Sequence, residues 1–187
     1  MKIKTIFFIT FIIFFVNYLN AQNNNNAGDI QRDALKKIEF LTGNWKGTEW
    51  ILTPDDMKRN VESTDIAEFK LNGTVILFQG TVKVKMPGSS DPVTVYEGIG
   101  LLSYDENIQK YRLQHFGSDG SYADYECILT DKTLVCESKD TKNIITRVTI
   151  GLDDSGFWKE KGERSEDGTT WNQYFETRME KIPADSK

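Results

Sequence analysis

The chain is poor in the residues on which most soluble enzymes rely. One histidine, His115, in 187 residues is a thin supply for acid–base chemistry near neutral pH. No Gly-x-Ser-x-Gly elbow, P-loop or His-Glu-x-x-His occurs. Gly98-Ile99-Gly100 lies inside a strand-like run and opens no helix, so it is a strand bend or room for a bulky neighbour such as Tyr96, not a nucleotide fingerprint. Basic residues are outnumbered 23 to 28 and form no cluster. A net charge of −5 of that kind disfavours nucleic acid and anionic membrane surfaces as partners. Only two cysteines are present, and neither follows the N-terminal apolar run, which argues against a lipid-anchored lipoprotein.

That run, Thr5 to Val16, follows a basic Met1-Lys-Ile-Lys4 and leads to Ala21-Gln22, the layout of a cleaved signal peptide over residues 1–21. It is short for a membrane span; an uncleaved anchor is the alternative. Loss of Lys2 and Lys4 on cleavage takes the net charge from −5 to −7. The mature protein is then expected in the periplasm or secreted, with no membrane association. Residues 22–41 read as a polar linker and a short helix capped by Asp29, with Ile30, Ala34, Ile38 and Leu41 on one face. Such a helix either lies across a barrel end or packs outside it.

From Trp45 onward, short apolar runs alternate with regular breakers such as Asn72-Gly73, Asp119-Gly120, Asp131-Lys132 and Asp167-Gly168. This predicts an all-β domain over residues 42–182, an antiparallel up-and-down barrel of about ten strands, with a tail at 183–187. Side chains alternate along a strand, so each turn fixes which residues share a face. A turn on Asp131-Lys132 sets Cys127 opposite Cys136, close enough for a cross-strand disulfide; two buried free thiols are the alternative. Tyr125 shares that face, which is taken as the interior. Carrying the register through a two-residue turn at Asp119-Gly120 adds Arg112, Gln114 and Phe116 to the interior and turns Tyr111, Leu113 and His115 outward, His115 facing Asp124. A turn at Asp167-Gly168 aligns Trp158, Trp171, Phe175 and Met179 on one inner face, with Lys159 opposite Glu176 on the outer.

Phe40-Leu41-x-Gly43-x-Trp45-x-Gly47, Tyr104-Asp105 ahead of Tyr111-Arg112-Leu113, and Asp167-Gly168-x-x-Trp171 together resemble small bacterial barrels of the lipocalin-like, calycin superfamily. The resemblance implies an antiparallel barrel around a cavity for a small apolar ligand, with a late-strand arginine resting on Trp45. Arg178 is the candidate, although the hairpin register sets it on the outer face. The related nitrobindin branch ligates haem through a histidine near the C-terminus. The last strand here has none, and an outward His115 argues against haem.

These readings converge on an exported barrel that binds a small, largely apolar ligand without catalysis and without a metal or other cofactor. Trp45, Arg112, Gln114, Phe116, Tyr125, Trp158, Trp171 and Phe175 are its expected lining, with Arg112 suited to a ligand carboxylate. The alternatives are an interaction module with a filled interior, a hydrolase using paired carboxylates, and a haem barrel. Glu49, Glu62, Asp65, Glu68 and Glu97 lie on early strands whose facing the alternation leaves open.

Overall fold

The computed structural model describes residues 28–184 apart from Pro54, Pro87 and Ser89; the expected signal peptide and most of the polar linker lie outside the described residues. The strands are β1 (Gly43–Leu52), β2 (Lys58–Lys70), β3 (Val75–Val84), β4 (Val93–Asp105), β5 (Lys110–Gly117), β6 (Tyr122–Thr130), β7 (Thr133–Lys139), β8 (Ile145–Leu152), β9 (Trp158–Ser165) and β10 (Asn172–Ile182). Each pairs antiparallel with its neighbours in sequence, and β1 pairs with β10, so the ten strands close into an up-and-down barrel. Closure removes the exposed strand edges that an open sheet of this length would present.

Ahead of the strands, helix α1 (Asp29–Lys36) is followed by a 3-10 turn at Glu39–Leu41. It lies across the barrel end rather than outside it. Ala34, Leu35, Ile38 and Leu41 pack into one buried cluster with Trp45, Ile76, Leu102 and Tyr111. Tyr111 donates its hydroxyl to the Ala34 carbonyl at 2.9 Å, and the Trp45 indole N–H donates to the Leu41 carbonyl at 2.9 Å. Two expectations need correction. Gly28 occupies the N-cap position at φ 84°, with Asp29 inside the first turn, and Ile30 is exposed while Leu35 takes its place against the core.

The tryptophan is clamped differently from what the resemblance implied. Lys181, the register partner of Trp45 on β10, holds its ammonium 5.3 Å from the indole centroid. Arg178 stands outside, over Phe157 at 3.6 Å and paired with Asp153 at 3.2 Å.

Cys127 and Cys136 are paired across β6 and β7 and joined by a disulfide, with Cα atoms 4.0 Å apart. Both are fully buried in the cluster under α1.

The next hairpin back differs from its sequence reading. Its loop has three residues, not two: the Gly117 N–H donates to the Ser121 carbonyl at 2.9 Å, and the Gly120 N–H returns to the Gly117 carbonyl at 3.0 Å. Gly120 sits at φ 83°, the left-handed position that such a loop requires. One extra residue moves the pairing by one, and a slip of one exchanges the two faces. Leu113 therefore pairs with Tyr125 and His115 with Ala123, all inward. Tyr111 and Leu113 are buried, whereas Arg112 and Gln114 are half-buried on the outer set and Phe116 is 44% exposed.

This assignment of faces has a direct thermodynamic consequence. Leu113→Ala is expected to cost about 2–5 kcal/mol in urea unfolding, and Phe116→Ala less than about 1 kcal/mol. Equal costs, or the reverse order, would mean that β5 faces the other way.

Candidate binding chamber

The barrel interior has two unlike halves. Beneath α1 the inward side chains are tightly packed: Trp45, Trp158, Leu134 and Met179 are all at most 2% exposed. Trp158 makes edge contacts with Trp45 (centroids 5.5 Å apart) and Phe78 (5.9 Å), and these rings floor the second half. Above them the inward positions turn polar, and Glu49, Asp65, Tyr96, His115 and Glu160 all keep part of their surface open to a water-sized probe. We call this half of the interior, walled by the strands and still reached by solvent on the side away from α1, the chamber.

Side-chain-free wall positions make the space. A Cβ on Gly80 would stand 2.5 Å from an Asp65 carboxyl oxygen, and one on Gly98 would stand 3.0 Å from His115 Nε2. At Gly162 it would meet the Phe175 ring at 2.1 Å and the Tyr174 ring at 2.7 Å. Large side chains therefore lie along the wall over glycines instead of projecting across the barrel. Tyr174 and Phe175 both reach Gly162 because the β9–β10 register shifts between Gln173 and Phe175, a bulge that re-aims consecutive side chains.

Three carboxyls line this chamber. Glu49 and Glu160 flank Thr177, on β1 and β9 to either side of β10. Asp65 lies on β2 between Trp45 and Gly80. Burial, reinforced by the charge of Asp65, pushes Glu49 up to about 7 despite hydrogen bonds from the Ser63 and Thr177 hydroxyls. Burial alone takes Asp65 to about 7. Glu160 rises to about 8 through burial and then the charges of Asp65 and Glu49; the Trp158 N–H at 3.3 Å is its hydrogen bond. Among the described residues no lysine, arginine or histidine forms an ion pair with any of the three. Near neutral pH such groups both hold and release protons, the capacity that acid–base chemistry and cation binding share.

Hydroxyls and an imidazole face them. The Tyr96 hydroxyl lies 3.1 Å from His115 Nε2, with the two rings stacked at 6.3 Å. Burial lowers the histidine's proton affinity, so it is the neutral imidazole that faces the chamber. Burial also raises Tyr125 and Tyr174 above the usual phenol range. Arg164 stands exposed at the rim, 4.4 Å above the Tyr174 ring.

Among the residues expected to line a cavity, Trp45, Tyr125, Trp158 and Phe175 do face inward; Trp45 is sealed in the floor, below the chamber. Arg112, Gln114 and Phe116 do not, for the one-residue reason given above. Arg112 pairs on the outer surface with Asp124 at 2.5 Å, and Phe116 packs on Tyr122 at 5.2 Å. Trp171 also lies outside, beneath the Arg147 guanidinium at 3.7 Å, because the bulge before Phe175 reverses the alternation upstream of it. Lys159 sits opposite Arg178 rather than Glu176; that shift of two residues leaves the faces of Trp158, Phe175 and Met179 unchanged. His115 is the principal correction. The outward imidazole used to argue against haem is inward, although its Nε2 is engaged by Tyr96. Among the described residues no three or more His, Cys, Asp or Glu side chains are grouped to hold a metal ion. Glu49 and Asp65 escaped sequence reasoning because β1 and β2 mix apolar and polar residues on both faces, with Gly80, the inward partner of Asp65, as the available signal; Glu160 was legible from its place two residues after the inward Trp158.

Each of the three carboxyls binds its proton more tightly folded than unfolded. From their ordinary values of 3.8–4.5 up to about 8, the folded chain holds the extra protons, so stability falls as pH rises across that window. His115, held below its ordinary 6.5, gives the opposite slope in the acid range. Glu160→Gln is therefore expected to raise Tm by about 2–8 °C at pH 8.5 and to leave it nearly unchanged at pH 4, measured by circular dichroism. Equal shifts at both pH values would remove Glu160 from the buried acids. Compared with models of known protein families and with curated proteins, the chain matches none.

Proposed function

We propose that this protein is an exported, lipocalin-like carrier that binds a small, largely apolar molecule in the chamber without converting it. The observation that carries the reading is the division of one barrel into a sealed aromatic floor and an accessible half with a few converging polar groups, the usual make-up of a small-molecule site. Phe175 and Val82, which lies two residues after Gly80 on the inward set of β3 and pairs with the buried Ser63, supply apolar wall toward the mouth, and Tyr96, Tyr125 and Tyr174 supply hydroxyls. The Cys127–Cys136 disulfide fits an oxidising compartment outside the cytosol, in line with the N-terminal layout. No helix among the described residues is long and apolar enough to cross a membrane. With Arg112 on the outer surface, the arginine expected to receive a ligand carboxylate lies outside the chamber.

A hydrolase using paired carboxylates gains one observation of its own, the inward facing of Glu49 and Glu160. The two readings separate in one experiment. Protein purified from its native host is extracted with organic solvent, the extract is identified by mass spectrometry, and the molecule is returned to ligand-free protein. A carrier is expected to yield a defined molecule that quenches tryptophan fluorescence on rebinding and is recovered unchanged. Conversion that stops in Glu49→Gln would establish an enzyme instead. An empty extract with no quenching by any apolar probe would remove the carrier.

A further inference from the structure

The chamber's electrostatics narrow the ligand class, on the premise that the barrel is a carrier. We propose that the molecule it binds carries a protonated amine, and that Glu49, Asp65 and Glu160 are the residues that receive it.

The outer acids of this chain are either paired with a cation or solvated by water. On the outer surface Asp124 pairs with Arg112, Glu126 with Lys110, Glu137 with Arg147 and Asp153 with Arg178. Inside, three carboxyls share one enclosure and none has a cationic partner among the described residues. Asp65 is the extreme case: it is turned inward onto Gly80 and receives no hydrogen bond from any described residue. Carboxyls in that position either keep their protons or need a positive charge from outside the chain. The cations of the chamber do not supply it. The His115 imidazole is neutral, and Arg164 stays at the rim on Tyr174.

The aromatic residues point the same way. Trp158 adjoins Glu160, while Tyr125 and Tyr174 stand close enough to feel its charge. Ring faces attract an ammonium group and offer nothing to a carboxylate. An alkyl or aryl amine would thus set its charged end among the acids, above the Trp158–Phe78 floor, and its apolar body along Phe175 and Val82 toward the mouth. A neutral alcohol would find the hydrogen-bond acceptors but bring no charge to them; a carboxylate would meet repulsion from whichever of the three is ionised.

Three eight-carbon probes test this at pH 7.5 by isothermal titration calorimetry on the mature chain: octylammonium, 1-octanol and octanoate. Octylammonium is expected to bind at least tenfold more tightly than octanol, with octanoate weakest. The double variant Asp65→Asn/Glu160→Gln is expected to lose at least tenfold in octylammonium affinity and to keep its octanol affinity, which also shows that it is folded. Octanol or octanoate binding as tightly as octylammonium overturns the amine and leaves the carrier standing. Undiminished octylammonium affinity in the double variant likewise overturns the role of the acids. Binding by none of the three overturns both.

Discussion

Pairing of β1 with β10 is the constraint on which the remainder of the molecule depends. It joins strands more than a hundred residues apart and converts a meander with two open edges into a tube with an inside. Trp45 stands at that seam, its ring against Trp158, its N–H on the Leu41 carbonyl and Lys181 beside it. A tryptophan fully removed from water contributes several kcal/mol through packing alone. Here it also ties the first strand, the last strand and the helical lid into one end of the barrel. Among the described residues no helix covers the other end.

The division of the interior follows from that asymmetry. Toward the lid, apolar side chains fill the tube and the disulfide adds a covalent cross-strand link. Toward the mouth, glycines at Gly80, Gly98 and Gly162 let carboxyls and rings lie along the wall. Such a half is not built for stability. Burial in a low-dielectric enclosure, reinforced by neighbouring acids at Glu49 and Glu160, raises the proton affinity of all three and costs folding free energy above neutral pH. Stability held in the floor is what allows this arrangement to persist, and destabilised groups of this kind gather where proteins bind or react.

Much of this was legible in the residues themselves. Turn chemistry and alternation gave the number of strands and the breaks between them, because Asn-Gly and Asp-Gly pairs need few contacts beyond their own backbone to form a turn. The Asp131-Lys132 hairpin set Cys127 against Cys136 for the same local reason. Loop length was not legible in the same way. Ser118-Asp119-Gly120 and a two-residue Asp119-Gly120 turn use the same amino acids, and the choice depends on pairing along the whole of β5 with β4 and β6. One residue of difference moved His115 inside and Arg112 outside. The bulge before Phe175 did likewise for Trp171.

The sequence by itself determined an antiparallel all-β chain with a short helix ahead of it, the turns between strands and the cysteine pair, because each is set by local backbone preference and alternation. Only the tertiary structure decided which alternating set faced inward on the early and middle strands. That choice belongs to closure of the sheet, where a register summed around ten strands must return to its start. With it came the gathering of Glu49, Asp65 and Glu160, residues far apart in the chain, into one enclosure that screens them poorly from each other.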